Sequence, residues 1–436
     1  MNSRLQNKQC DRVSPVGRRS STGRGFWLSC LFLFCVLFLV NGACKPKAAV
    51  PEKIPSTPDI VREYSFEQTS GKTAFEYFRD EKIAAGWNLG NTLDSYSGGK
   101  GNETVWGNPS VNQSLMNGIK AAGFDIIRIP VTWMGHIGSA PDYKISEIRL
   151  SRVAEVVEMA HNAGLKVIIN LHHDGATEAP MKEDGWLSIT KAAIVEKEYE
   201  NITARFVRVW EQIAAYFKNY GDWLMFESFN ELHDGNWGEG SGKFIQSQIE
   251  VVNKWNQAFI GAVRQAGGNN KTRFVVIPGL CTKIKHTLAD YFILPKDSAP
   301  GLQIITFHYY DPYEFGIAGT RYQWGSAADK NIVAADFTPF KTKFIDNHIP
   351  VIIGECGAVK QVYEDKAKED KAKQSRLDYT AWVFSKAKEN GLVPIYWDNG
   401  SVKGNGEKFG LFDRRTGQPN SPESENLIKL MMRAVK

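Results

Sequence analysis

A chain of 436 residues with 42% hydrophobic and 23% charged side chains has ordinary globular composition, which excludes wholesale disorder; the length fits two average domains or one α/β barrel with its loops. The formal charge of +5 is concentrated in Arg4, Lys8, Arg12, Arg18, Arg19 and Arg24, ahead of the first apolar run. The remainder is nearly neutral with its charges interspersed, so no nucleic-acid partner is expected.

That basic leader, the apolar run at 26–40 and the small residues Gly42 and Ala43 form a secretory signal layout, which assigns 1–43 to a cleaved segment. The run is shorter than the roughly twenty residues that span a bilayer. Cys44 follows the expected cut as in a bacterial lipoprotein signal, although Asn41 stands where Leu is usual. Simple secretion and a lipid tether through Cys44 both stay open, and such lipid would be the protein's membrane contact. Residues 44–62 carry Pro46, Pro51, Pro55 and Pro58 with Lys45, Lys47 and Lys53, and read as an extended linker. From 63 to 436 there is no second linker and no fixed-period repeat, so one domain is expected, acting as a monomer. The cysteines beyond the leader, Cys44, Cys281 and Cys356, make no disulfide framework, and the last two are expected as free thiols.

Short apolar, β-rich runs recur at 83–90, 126–130, 167–173, 224–231, 274–280, 304–310, 351–357 and 393–399. Helical patterns fall between them, as at 148–163, 204–219, 246–266 and 374–390. Strand and amphipathic helix in eightfold alternation predict a single (β/α)8 barrel, with an open doubly wound sheet as the rival. Nearly every run begins apolar and closes on a polar or aromatic group: Asn91, Arg128, His172 and His173, Asn230 and Glu231, His308 and Tyr310, Glu355, then Trp397 and Asp398. The C-terminal ends of barrel strands share one face, where barrel enzymes keep their active sites. These residues are therefore expected in one pocket.

Cleaving an acetal between sugars needs a proton donor and a second carboxylate at the anomeric carbon, and Glu231 and Glu355 meet that need. A guanidinium from Arg128 and a hydrogen bond from Tyr310 would hold Glu355 ionised. Glu231 has no obvious cation, and repulsion from Glu355 would raise its pKa for proton donation. Asn230 can bond the sugar 2-hydroxyl. Among the Trp residues, Trp106, Trp133, Trp186, Trp237, Trp324 and Trp397 fall on strand ends or the following loops, where indole faces can stack on sugar rings.

A metal reading would gather His172, His173, Asp174 and His308. Adjacent residues on a strand point to opposite faces, so both histidines can reach one metal only if the strand has ended, and no metal-ligand spacing is present; no metal is expected, and the histidines are read as hydrogen-bonding groups. No Gly-x-Gly-x-x-Gly, Gly-Lys-Ser/Thr or Gly-x-Ser-x-Gly signature appears, so no nucleotide cofactor and no serine elbow is expected either.

Over essentially all of the chain from about Phe75, the sequence resembles glycoside hydrolase family 5, the cellulase family. The resemblance rests on Gly-Trp-Asn-Leu-Gly-Asn-Thr-Leu-Asp at 86–94, Glu-Thr-Val-Trp-Gly-Asn-Pro at 103–109, Arg-Ile-Pro-Val-Thr-Trp at 128–133, Asn-Leu-His-His at 170–173, Phe-Asn-Glu at 229–231, Phe-His-Tyr-Tyr at 307–310 and Gly-Glu-Cys-Gly at 354–357. The first two segments resemble subfamily four, a group of endoglucanases, lichenases and xyloglucanases. The resemblance implies a retaining double displacement on β-1,4-glucan, with Glu231 as acid/base and Glu355 as nucleophile. It also implies a surrounding catalytic set of Arg128, His172, His173, Asn230, His308, Tyr310 and Trp397. Asn91 is implied to bind sugar on the non-reducing side, and Trp133 and His136 to line the groove further out. The Gly-rich insertion at 95–102 and the loop at 181–200 depart from the pattern and carry no assignment. Xylan or mannan as substrate, and a noncatalytic glycan-binding protein on the same barrel, are the alternatives.

Overall fold

The computed structural model describes residues 66–436 except Ala176, Pro180, Met181, Asp184, Ser241, Asn405 and Gly406. The leader and linker predicted at 1–43 and 44–62 lie outside the described residues. Eight parallel strands close on themselves: β1 Gly86–Leu89, β2 Ile126–Ile129, β3 Lys166–Asn170, β4 Leu224–Glu227, β5 Val275–Pro278, β6 Gln303–Tyr309, β7 Val351–Cys356 and β8 Leu392–Asp398. Because β1 pairs with both β2 and β8, the open-sheet rival falls and the single (β/α)8 TIM barrel stands.

Buried on both faces, these strands are rich in Ile and Val, as a parallel sheet covered by helices requires. The helices supply that cover. Glu196–Tyr216 buries Ile202, Phe206, Val209, Trp210 and Ile213, three and four residues apart. Glu147–Asn162, Lys243–Gln265 and Lys366–Glu389 pack in the same way. Below the barrel, Thr73 and Glu76 form a capping box for Ala74–Asp80, which buries Ala74, Tyr77 and Phe78 against the interior cluster. Two stretches without a prior assignment acquire structure. Residues 95–102 contain a hairpin, Tyr96–Ser97 with Lys100–Gly101, and 181–200 includes helix Ile189–Ile194 and the first turn of Glu196–Tyr216.

Side chains alternate along a strand, so every second residue enters the barrel. Ile126, Ile168, Met225, Val276, Ile304, Ile352 and Ile395 fill the lower interior and are inaccessible to solvent. Two residues further along β2, β3 and β4 stand Arg128, Asn170 and Glu227, and Asn88 follows Gly86 on β1 by the same step. The upper interior is thus a polar layer, directly beneath the mouth.

Most strands are shorter than the apolar runs suggest, while β6 and β8 match them in length. β4 stops at Glu227, so Glu231 stands on the segment that leaves it. Between β6 and β7 the register shifts: Phe307 pairs with Ile353 but His308 pairs with Glu355, which leaves Gly354 as an extra residue. Such a bulge re-aims the side chains that follow it, here His308 and Glu355. The Gly354 carbonyl accepts a 2.9 Å hydrogen bond from Asn88 Nδ2, and a Cβ at 354 would sit 2.5 Å from Thr306 Oγ1. Gly354→Ala is therefore expected to destabilise the fold by about 1–3 kcal/mol. An unchanged urea unfolding midpoint would show that the bulge has room to spare.

Candidate active site

The buried guanidinium of Arg128 lies at the centre of the polar layer. Its Nε donates to Glu227 Oε2 at 2.7 Å, Nη1 to Asn88 Oδ1 at 3.1 Å and to Glu355 Oε1 at 2.8 Å, and Nη2 to Asn230 Oδ1 at 2.7 Å. Glu355 Oε2 accepts from the Tyr310 hydroxyl at 2.8 Å. Burial pushes the Glu355 carboxyl up, while Arg128 and Tyr310 act against that push. The phenol itself is raised well above its ordinary value by burial, so Tyr310 stays a donor.

Glu231 faces this pair from the segment after β4. His308 Nδ1 lies 2.5 Å from Glu231 Oε1 and 3.6 Å from Glu355 Oε2. A carboxylate oxygen of each glutamate lies within 4.8 Å of the other. Burial lowers the His308 pKa to about 4, so its ring is neutral near pH 7 and Nδ1–H donates to Glu231 Oε1. Burial raises Glu231 as well, and among the described residues neither Arg nor Lys is bonded to it. With Oε1 engaged by His308, Oε2 is the atom left to carry a proton toward the groove.

The tautomer of His172 follows from a chain of bonds that begins at the backbone. Val131 N–H donates to Asn170 Oδ1 at 3.1 Å, which fixes the amide orientation. Asn170 Nδ2 then donates to Glu227 Oε2 at 2.8 Å and to His172 Nδ1 at 3.2 Å. With Nδ1 accepting, the ring proton sits on Nε2, 3.9 Å from Glu355 Oε1. Burial holds the His172 pKa well below its usual value, so this ring is a neutral donor.

His172 and His173 do approach one place, because β3 has already ended at Asn170, the one condition under which the strand argument allowed it. Their partner there is Asp94, with one potential ligand atom from each within 4.8 Å. Asp174 is turned away to accept from Trp133 N–H and Trp186 Nε1–H, and His308 belongs with the two glutamates. The Nε2 proton on His172 makes that ring a donor rather than a ligand, and the geometry favours hydrogen bonding over metal ligation.

Above these groups opens a cleft of about 670 Å³, lined among others by His172, His173, Asn230, Glu231, Trp237, Thr282, His308, Tyr310, Glu355 and Trp397. A second hollow, lined by Asn91, Trp106, Asn108, Asn399 and Lys403, meets it at Glu407. The two make an extended groove. Trp397 lies parallel to the His172 ring, 5.9 Å away, and Gly90 lets it pack close: a Cβ there would sit 2.8 Å from the indole.

Two residues expected in the groove are elsewhere. Trp133 is completely buried, with its Nε1–H on the Asn170 carbonyl, so neither indole face can meet a sugar. His136 is half-buried and its Nε2 bonds the Gly101 carbonyl, clipping the 95–102 hairpin to the barrel. Of the remaining loop Trp residues, Trp324 packs against Tyr379 in the core, and Trp186 bonds Asp174 beneath the Arg205 guanidinium. Trp106 and Trp237 do reach the groove. Asp398 is inaccessible and structural, accepting from Trp87 Nε1, Leu411 N and Arg414. Cys281 and Cys356 are buried free thiols, as expected.

Sequence reasoning missed Glu227, Asn88 and Asn170. The signal was available: each is a polar residue inside an apolar strand run, two positions beyond an inward residue, and such a group must find a buried partner.

Comparison with known proteins agrees with this geometry. The family model described as cellulase, glycosyl hydrolase family 5, matches residues 90–403. Endoglucanase A of Paenibacillus barcinonensis is 35% identical over 377 residues, covering 81% of this chain and 89% of that protein. A xyloglucan-specific endo-β-1,4-glucanase of Bacteroides ovatus is 36% identical, covering 78% of this chain and 67% of its own length. The solved structure of a broad-specificity endoglucanase of GH5 subfamily 4 from Bacteroides salanitronis superimposes with a TM-score of 0.77 at 39% identity, covering 86% of this chain and 98% of that one. Barrel, site and relatives converge: this chain belongs to glycosyl hydrolase family 5 and is a glycoside hydrolase.

Proposed function

We propose that the protein is a retaining endo-β-1,4-glucanase, with Glu355 as nucleophile and Glu231 as acid/base. The observation that carries this reading is the short separation of the two carboxylates, within 4.8 Å between nearest oxygens. Retaining glycosidases hold their carboxyls about 5–5.5 Å apart, whereas inverting enzymes leave room for a water at about 6.5–9.5 Å. An extended groove open along the barrel mouth suits attack within a polymer, and the endoglucanase and xyloglucanase relatives support a β-1,4-glucan backbone.

In the first step a Glu355 oxygen attacks the anomeric carbon, the glycosidic C–O bond breaks, and the leaving oxygen takes its electron pair together with the proton on Glu231. In the second, Glu231 removes a proton from water, which attacks the same carbon and releases Glu355 as carboxylate. Arg128 fixes Asn230 Oδ1, so the Asn230 amide nitrogen is left to donate to the sugar 2-hydroxyl, a contact that strengthens in the transition state. His172 Nε2–H and His173 line the same side, Trp397 offers a stacking face, and Asn91 with Trp106 extends the groove to further sugar units on the non-reducing side. The leader supports export, with residues 1–43 removed and 44–62 spacing a monomeric barrel from Cys44; no helix of the described residues is long and apolar enough to cross a membrane.

On soluble mixed-linkage β-glucan, xyloglucan and carboxymethylcellulose, Glu355→Gln should abolish release of reducing ends, and Glu231→Gln should slow it by about 10²–10⁴-fold. Proton NMR of the first product should show the β-anomer. Initial formation of the α-anomer, or activity surviving in Glu355→Gln, sinks the assignment, and preference for xylan or mannan over every glucan overturns the substrate class.

The pH profile offers a second test. Activity requires Glu355 ionised and Glu231 protonated, so it rises through the first pKa and falls through the second. Tyr310→Phe removes a donor to ionised Glu355, which favours protonation of that group. The acid limb of kcat/KM should therefore move to higher pH while the basic limb stays near its original position. A limb that moves to lower pH, or does not move, would mean that the Tyr310 hydroxyl does not hold Glu355 ionised.

A further inference from the structure

We propose that Glu227 is the standing counter-ion of Arg128, a positioning residue that keeps this guanidinium neutralised while Glu355 loses its charge. The inference rests on the double-displacement reading. Arg128 and Glu227 are both inaccessible to solvent and 2.7 Å apart, and the same guanidinium holds Glu355 at 2.8 Å. When a Glu355 oxygen bonds to the anomeric carbon, its carboxylate becomes a neutral ester. Asn88 and Asn230, the remaining partners of Arg128, are neutral. Without Glu227 the glycosylated enzyme would hold an uncompensated buried cation, which is strongly unfavourable.

The local chemistry fits a charge role better than a packing role. Glu227 Oε1 is buried with no hydrogen-bond partner, an arrangement that adds little to stability. Glu227 Oε2 meanwhile accepts from Asn170 Nδ2, the nitrogen that also bonds His172 Nδ1. One carboxylate thus balances Arg128 and anchors the amide that keeps the His172 proton on Nε2. Glu227 does not line the cleft and touches no reacting atom.

The test is stopped-flow hydrolysis of 2,4-dinitrophenyl β-cellobioside, whose leaving group departs without help from Glu231. The native enzyme should give a burst of dinitrophenolate, with the glycosyl group recovered on Glu355 by mass spectrometry. In Glu227→Gln the burst should vanish because glycosylation slows by about 100-fold or more, while hydrolysis of the intermediate is not slowed. The acid limb should move to lower pH, since Arg128 then faces Glu355 alone and favours its ionised form. Glu227→Asp, which keeps the charge, should restore part of the burst. Equal slowing of both half-reactions with an unmoved acid limb would mark a structural role and overturn the inference, as would native kinetics in Glu227→Gln. Should Glu227→Gln fail to fold, Glu227→Asp carries the test: an acid limb near the native position with glycosylation slowed more than hydrolysis of the intermediate supports the inference, and equal slowing of both half-reactions overturns it. If the native enzyme itself labels no residue, the double-displacement reading fails first; if it labels Glu355 and the variants behave as native, only the role of Glu227 fails.

Discussion

A guanidinium cannot be stripped of water inside a barrel unless protein atoms replace the hydration it loses. For Arg128 those atoms come from three places around the barrel: Asn88 on β1, Glu227 on β4 with Asn230 just beyond it, and Glu355 on β7. The planar fork demands acceptors in fixed directions, so the strands bearing them must close to the right circumference and stagger. Barrel closure and the placement of Glu355 are consequently one requirement. Asn88 ties the arrangement to the bulge through Gly354, Glu355 and Asn230 bond this cation directly, Tyr310 lies two hydrogen bonds from it through Glu355, and His172 lies three away through Glu227 and Asn170.

The same layer explains how two carboxyls in one cleft can differ. Burial raises both, and the difference lies in their partners. Glu355 has a buried cation and a phenol aimed at its two oxygens. Glu231 has a neutral imidazole on one oxygen and the groove on the other. His308 sits between them, and burial keeps it uncharged, so it orients Glu231 without supplying the cation that would hold that group ionised. The asymmetry that the proposed roles of proton donor and nucleophile require is built from which neighbours are charged, more than from how deeply either group is buried.

Much of this was legible in the chain. Eight apolar runs ending in polar residues pointed to the barrel, because a parallel sheet covered by helices leaves only the strand ends free for chemistry. Glu231, Glu355, Arg128 and Tyr310 could be placed in one pocket for that reason alone. Linear pattern could not separate Trp397, which faces the groove parallel to His172, from Trp133, which has the same kind of position and is wholly buried with its Nε1–H on the Asn170 carbonyl; the difference depends on partners distant in the chain. Nor could it show the bulge at Gly354, since β7 is buried on both faces and reads as a run with no alternation for an extra residue to break. Glu227 was hidden by its neighbour. With Glu231 four residues away and aimed at the chemistry, the first glutamate looked like part of the strand.

Four of the seven described non-glycine residues with positive φ lie on the walls of the groove, and the core makes that possible. Among described non-glycine residues with positive φ, Asn91, Trp237, Cys281 and Thr282 lie on the segments that follow β1, β4 and β5. Each such conformation costs on the order of 1–3 kcal/mol, and a β-branched residue such as Thr282 at φ 49° is among the least tolerant. Trp237 remains 43% exposed, so burial offsets little of its cost beyond stacking on His233 at 3.9 Å. These loops keep their shapes because the strands beneath them are fixed by an apolar interior below and a paired cation above. Thr282 shows what is obtained in return: its hydroxyl bonds the Cys281 carbonyl and reaches to 3.4 Å from Glu231 Oε1, the oxygen that His308 also engages. A relaxed backbone at 281–282 would carry that hydroxyl elsewhere, and the carboxyl proposed to aim a proton at the groove would gain room to turn away from it.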